Sequence, residues 1–308
     1  MKLTGGSSPH IRDDITAGRL MGHVLLALLP ALAVGVWQLG LGTLWIVLSC
    51  VAAAVGTEWL WSAGKTVRDG SAAVTGLLLA MTLPPQLPLW QAAAGGIFAV
   101  AVGKMMCGGV GQNVFNPALA ARAAMVLCFP RTMTNYRTVD AVTSATPLHH
   151  MALHDLPDES VWELFAGLCR GSVGEISALA ILLGGAYLLW RRVITWHIPV
   201  ACLGTVALLT LVFFCGDDPA AWMLSQLFGG GLMLAAFFMA TDYATSPVTP
   251  KGRVIYGALC GALTVLFRYI GIFPEGITYA ILLMNGLTWI IDRCTPPRRF
   301  GVQKGAKT

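Results

Sequence analysis

The sequence predicts an all-α polytopic membrane protein with about ten transmembrane helices, arranged as two inverted five-helix repeats that contain broken helices. Of the 308 residues, 56% are hydrophobic and only 11% are charged, and the mean hydropathy is +0.69. Soluble domains carry about 25% charged residues. In addition, apolar segments recur along the whole chain, and a spanning helix needs about 20 mostly apolar residues.

Ten apolar segments are candidates for spanning helices, and several are short or interrupted. We place them at residues 20–39, 42–62, 72–88, 90–106, 113–130, 174–191, 196–215, 220–241, 253–270 and 276–292. The chain then divides into a cytoplasmic N-terminal segment (1–19), a first five-helix repeat (20–130), an extracytoplasmic loop (131–173), a second five-helix repeat (174–292) and a basic cytoplasmic tail (293–308).

The orientation follows from lysine and arginine, because short cytoplasmic loops are enriched in both. With the N-terminus inside, most of the 20 basic residues fall in inner segments. The exceptions are Arg122, Arg131, Arg137, Arg170 and Arg268. We therefore expect a multi-pass protein of the cytoplasmic (inner) membrane, with both termini inside and the loop 131–173 outside. The net charge of +5 is a topology signal, and no nucleic-acid partner is expected.

Two similar segments point to an internal repeat. Residues 76–85 (GLLLAMTLPP) resemble residues 231–241 (GLMLAAFFMAT), and each segment is followed by a glycine-rich apolar helix that ends at a base, Lys104 or Arg268. Five helices per half give the two copies opposite orientations. Inverted repeats with interrupted hydrophobic segments point to a binding site near the membrane midplane. Chance similarity between helices rich in Leu, Ala and Gly is the alternative.

The long polar loop contains Asp-Ala-Val-Thr-Ser-Ala-Thr-Pro at residues 140–147. Pro147 disfavours helical geometry at Thr146, so the Thr146 hydroxyl is expected in an extended segment and exposed. From the residues alone, a Ser/Thr turn in a surface loop is the simpler interpretation.

With Pro147 and Leu148, this motif resembles the acceptor sequence at which flavin transferases esterify the last threonine with the phosphate of FMN. Three further segments are similar to the D subunits of Rnf-type ion-translocating ferredoxin:NAD oxidoreductases, and more distantly to the B subunit of the sodium-pumping NADH:quinone reductase. These are Ser-Pro-His-Ile at 8–11, GGVGQNVFNPA at 108–118 and TDYATSPVTP at 241–250. The resemblance covers most of the chain and implies covalent FMN at Thr146, in a motif that includes Asp140, Ser144 and Ala145.

The resemblance implies a membrane flavoprotein subunit that carries electrons in a complex coupled to sodium or proton transport; the sequence leaves the ion open. The eight cysteines are scattered without a Cys-X-X-Cys pair, which argues against a zinc or iron–sulfur ligand set within this chain. We therefore expect a translocase subunit that is not catalytic alone. Its partners would be another flavoprotein subunit, iron–sulfur and NAD-binding subunits, a flavin transferase and the lipid bilayer.

A solute channel or transporter is the alternative function, because inverted repeats with broken helices suit it equally well and fold does not fix function. A channel has no need of the acceptor motif at 140–147, which favours the redox subunit.

The glycine-rich segment 108–118 contains Asn113 and Asn116. Each amide side chain offers donors and an acceptor, which suits the uracil-like edge of a flavin. In the sodium-pumping relative the matching asparagines are associated with a second, non-covalent flavin, so the resemblance implies riboflavin here. Alternatively, Asn116 caps a helix that begins with Pro117, and both roles can hold together.

Two acidic residues lie close to membrane segments. Asp242 stands in the hydroxyl-rich segment 241–250, where it could hold a cation or cap backbone amides at a bend, and we favour the capping role. Glu58 is flanked by Trp59 and Trp61, which are typical of the headgroup region, so a solvated position is expected for its carboxylate.

Overall fold

The computed structural model describes residues 16–64, 66–133, 160–167, 171–213, 218–270 and 275–297. Within these ranges the chain is helical and contains no strand. The helices are α1 (Ala17–Leu39), α2 (Gly42–Ser62), α3 (Ser71–Met81), α4 (Leu89–Val100), α5 (Pro117–Cys128), α6 (Pro130–Met133), α7 (Val161–Ala166), α8 (Ala178–Trp190), α9 (His197–Val212), α10 (Pro219–Phe228), α11 (Leu232–Leu234), α12 (Pro250–Ile270) and α13 (Ile277–Cys294). Helices α4 and α11 continue as π-helical turns, Ala101–Met105 and Ala235–Met239.

The all-helical class is as predicted, and a helix occupies part of each of the ten predicted ranges. Among the described residues, α1, α2 and α12 are long and apolar enough to cross a membrane. Helix α10 and the segment Leu232–Met239 form a pair bent by 61°, which would make a fourth span. Several other apolar helices are shorter than a full span, as expected for interrupted membrane segments.

Several boundaries differ from the prediction, and three of the differences have a local cause. Helix α3 ends at Met81 rather than at residue 88, because the Thr82 hydroxyl donates back to the Leu79 carbonyl and two prolines follow. Helix α5 begins at Pro117 rather than at residue 113, because Asn116 caps its first turn. The predicted loop 131–173 includes the end of α6 and all of α7, which begins with a capping box formed by Ser160 and Glu163.

Glycines bring two pairs of helices into backbone contact. A Cβ atom added at Gly96 of α4 would lie 2.5 Å from the carbonyl oxygen of Cys50 in α2. A Cβ atom at Gly261 of α12 would lie 2.5 Å from the carbonyl oxygen of Cys202 in α9. Small residues at helix interfaces permit this close approach in membranes. The α2–α4 and α9–α12 pairs therefore share the same kind of contact, a glycine of one helix against a backbone carbonyl of the other.

The buried Arg122 side chain of α5 links the two halves of the chain. Its guanidinium donates to the Thr82 carbonyl at the end of α3 and to the carboxylate of Glu275, just before α13. The Glu175 carboxylate lies 3.9 Å away. These contacts tie the end of α3 and the segment just before α13 to α5. Removing one partner of the buried ion pair would leave an uncompensated charge.

The tryptophans lie mostly on the outside. All ten are in the described part of the chain, and Trp222 alone is buried. The exposed ones are Trp37, Trp45, Trp59, Trp61, Trp90, Trp162, Trp190, Trp196 and Trp289. Exposed tryptophans are typical of the boundary between lipid and water.

Candidate functional site

A cavity of about 240 Å³ lies between α1, α3, the π-helical turn after α4, the start of α5 and the segment that follows Met239. Asn113, Asn116 and Asp242 all line it. The sequence indicated these residues from two separate segments, more than a hundred positions apart. The fold thus brings three of the predicted site residues to one place, together with Thr75 and Lys104.

The Asn116 side chain is fully engaged within the protein. Its Oδ1 accepts hydrogen bonds from the backbone amides of Ala118 and Leu119, and Pro117 occupies the first helical position. The helix-cap interpretation of Asn116 is therefore confirmed. Its Nδ2 donates to the Met239 carbonyl at 3.1 Å, so Asn116 also ties the start of α5 to the end of the second π-helical turn across the cavity wall.

Asn113 lies in a loop whose path depends on glycine. Gly108 and Gly109 have φ values of 111° and 100°, which residues with a Cβ atom rarely adopt. The Oδ1 atom of Asn113 is buried and has no hydrogen-bond partner among the described residues. Since an unpaired buried acceptor is unfavourable, a ligand that donates a hydrogen bond in the cavity would satisfy it.

Asp242 follows the π-helical turn Ala235–Met239 and lines the cavity from the opposite half of the chain. The backbone amides of Tyr243 and Ala244 are directed at its carboxylate, and the Thr245 hydroxyl lies 3.4 Å from Oδ2. These contacts are those of a residue that caps backbone amides at a bend.

The expected solvated position of Glu58 is wrong. Its side chain is fully buried, and Oε1 lies 2.7 Å from the Lys104 Nζ atom. Trp59 and Trp61 are each 58% exposed, but successive residues of a helix point in different directions, about 100° apart. The tryptophans therefore face outward, whereas Glu58 faces Lys104.

Lys104 and Ser71 belong to the site, although the sequence indicated Lys104 only as a marker of the repeat. Lys104 Nζ donates to the Ser71 hydroxyl as well as to Glu58, and Ser71 in turn donates to Asp69. The position of Lys104 within an apolar segment could have indicated a site residue, because charged residues at membrane depth usually have a partner and a function.

The acceptor motif lies outside the described residues, and with it Thr146, Asp140, Ser144 and Ala145. The predictions for these residues stay predictions.

The chain belongs to the NQR2, RnfD, RnfE family, which it matches over residues 4–301. It is 46% identical to the D subunit of the Na⁺-translocating ferredoxin:NAD⁺ oxidoreductase complex of Acetobacterium woodii, over 99% of this chain and 97% of the relative. It is 42% identical to the D subunit of the proton-translocating ferredoxin:NAD⁺ oxidoreductase complex of Clostridium ljungdahlii, over 98% and 97%. It is also 34% identical to the D subunit of an ion-translocating oxidoreductase complex of Escherichia coli, over 97% and 98%.

Proposed function

We propose that this protein is a membrane flavoprotein subunit of an ion-translocating ferredoxin:NAD oxidoreductase complex, and that it carries electrons through FMN esterified to Thr146 and through non-covalent riboflavin. The observation that carries the proposal is the convergence of Asn113 and Asn116 on one cavity, in a chain that belongs to this family. The unpaired Oδ1 atom of Asn113 fits a flavin ring edge, which presents an N–H donor beside carbonyl acceptors.

The residues of the cavity would hold the riboflavin, and the bound flavin would supply the electron transfer. Asn113 would accept from the ring N–H, and the apolar walls contributed by Met21, Leu78 and Phe238 would exclude water from the ring. Asn116 would position the loop that carries Asn113, because its own side chain already caps α5.

The reaction requires further subunits. The chain offers no dinucleotide fingerprint and no clustered cysteines in its sequence, so iron–sulfur and NAD-binding partners and another flavoprotein subunit would complete the path, and a flavin transferase would modify Thr146. The names of the first two relatives above differ in the ion, sodium or proton, at similar identity. Either ion is therefore compatible with this proposal.

We also propose that the chain crosses the membrane ten times as two inverted repeats, with Thr146 outside. Two matching contacts support the repeat. Ser71 precedes Gly76 by five residues and accepts from Lys104, while Gln226 precedes Gly231 by five residues and accepts from Arg268 at 2.9 Å. The two bases that end the corresponding helices thus bind residues at corresponding positions.

The Thr146 assignment is tested by mass spectrometry and by in-gel fluorescence of the denatured full-length chain. We expect a peptide containing Thr146 to carry the mass increment of FMN, and Thr146→Ala to abolish the fluorescence, since the ester needs the hydroxyl. Thr138→Ala, in the same loop but outside the motif, is the matched control and should stay fluorescent. Fluorescence that survives Thr146→Ala would refute the assignment, and a chain without any flavin would favour the channel alternative.

A further inference from the structure

Lys104 places a buried positive charge at the wall of the cavity. Among the described residues that line the cavity, the charged ones are Lys104 and Asp242. The Lys104 side chain is 3% exposed, and its Nζ is fixed by two contacts, to Glu58 and to Ser71. A side chain held in this way cannot swing out to water, so its charge acts on whatever occupies the cavity.

Glu58 stands behind Lys104 when seen from the cavity. It does not line the cavity, and its Oε1 also accepts from the Thr66 hydroxyl at 3.0 Å. Its Oε2 atom has no hydrogen-bond partner in the part of the chain that the structure describes. The carboxylate therefore balances and orients the lysine, while the ammonium is the member of the pair that faces the ligand.

The π-helical turn Ala101–Met105 explains how a lysine at the end of an apolar helix reaches this position. A π-helical turn inserts one extra residue into a helix, changes the direction of the side chains that follow, and is frequent at functional sites. Here Lys104 is buried within the turn, whereas Met106, two residues on, is 68% exposed.

We propose that Lys104 makes the cavity bind the reduced, electron-bearing form of the flavin more tightly than the oxidised form, with Glu58 and Ser71 as the residues that position it. The inference rests on the proposed function. Reduction adds negative charge to the isoalloxazine ring, and a fixed cation at the wall of the cavity stabilises that charge. The electron itself is delivered and removed by the other redox subunits. Lys104 thereby sets the potential at which this site accepts it.

The test is a spectroelectrochemical titration of the full-length chain in lipid nanodiscs, loaded with riboflavin. A Thr146→Ala background removes the covalent flavin from the signal. Lys104→Gln should weaken binding of the reduced relative to the oxidised flavin at least tenfold, which corresponds to a fall in midpoint potential of about 59 mV for a one-electron step. Lys104→Arg keeps the charge and should recover most of the loss.

Three further variants separate the charge effect from a structural one. Glu58→Gln leaves the cation without its counter-ion and should shift the midpoint potential in the opposite direction. If Lys104→Gln fails to fold because Glu58 is left unpaired, the double variant Glu58→Gln/Lys104→Gln removes both charges, and its potential should lie below that of Glu58→Gln by at least the same amount. Lys251→Gln, which removes an exposed positive charge on α12, should leave the potential unchanged.

A Lys104 variant that retains riboflavin at an unchanged midpoint potential overturns the inference and leaves the proposed function intact. Equal loss of both redox forms does the same, since Lys104 would then serve binding alone. A chain with all cavity residues unmodified that holds no riboflavin overturns this inference and the riboflavin part of the proposed function, and leaves the FMN at Thr146 to its own test.

Discussion

At the scale of single residues, two neighbouring asparagines have different roles. Asn116 uses both ends of its amide within the protein, as the cap of α5 and as a donor to Met239. Asn113 leaves a buried acceptor unpaired on the same cavity, among the residues that the structure describes. A sequence motif treats the two residues alike, whereas their hydrogen bonds separate a structural residue from one available to a ligand.

This difference predicts distinct effects of the two alanine substitutions. Asn113→Ala should remove riboflavin from acid extracts while the thermal stability of the protein stays close to normal. Asn116→Ala should also lower the free energy of unfolding, by about 1 kcal/mol for the lost cap. Asn116→Asp keeps the capping oxygen and should restore most of that stability. Extracts of a folded Asn113→Ala protein with unchanged riboflavin would show that Asn113 does not contact the flavin.

At the scale of elements, the glycines set how closely α4 approaches α2 and α12 approaches α9. The added Cβ of an alanine at Gly96 or Gly261 would meet a backbone carbonyl, which cannot move aside as a flexible side chain can. By contrast, a Cβ at Gly204 of α9 meets no atom within 4 Å. The three positions therefore allow the same substitution to be compared in crowded and open surroundings.

We expect Gly96→Ala and Gly261→Ala each to destabilise the protein by about 1–3 kcal/mol, the usual effect of overpacking. Gly204→Ala should be neutral or slightly stabilising, because alanine favours helix over glycine. Thermal unfolding in detergent, followed by size-exclusion chromatography, measures all three. Equal melting temperatures for the three variants would mean that the helix pairs separate easily at these glycines.

Sequence patterns located most elements but not the partners of their side chains. The apolar range 113–130 placed the start of α5 too early, whereas the Asn116–Pro117 pair indicated it, since capping is a local interaction of adjacent residues. The pairing of Glu58 with Lys104 joins residues 46 positions apart, and it depends on how α2 meets the π-helical turn. Hydrophobic periodicity contains no information on such a contact, and the nearby tryptophans indicated the wrong environment for Glu58.

At the scale of the whole molecule, the orientation in the membrane remains a prediction. Single-cysteine variants test it, and the native chain supplies two suitable positions, because Cys107 and Cys294 are exposed. Both should react with an impermeant reagent from the cytoplasmic side, since both follow helices that are expected to end inside. Cysteine introduced by Asp155→Cys should react from the opposite side. Labelling of all three from one face would contradict the ten-helix arrangement.

The sequence predicted the class of the molecule more completely than its membrane-crossing pattern. Composition alone requires an apolar environment, and a helix is found in every predicted range. The number of crossings is harder to predict, because α3, α5 and α8 have only 11 to 13 residues. The average hydropathy of a segment does not distinguish a broken span from a short one. The packing of such short helices against their neighbours is what shows which of them together form one membrane crossing.

The distribution of tryptophan has a practical consequence for spectroscopy. Because Trp222 is shielded and the other tryptophans face outward, the ultraviolet emission of the protein comes mainly from indoles at its periphery. That emission will respond to the surrounding detergent or lipid, for instance through quenching by brominated acyl chains, far more than to events in the interior. A change in indole fluorescence during reconstitution therefore reports on the detergent or lipid that surrounds the protein. The state of the interior has to be followed by another signal.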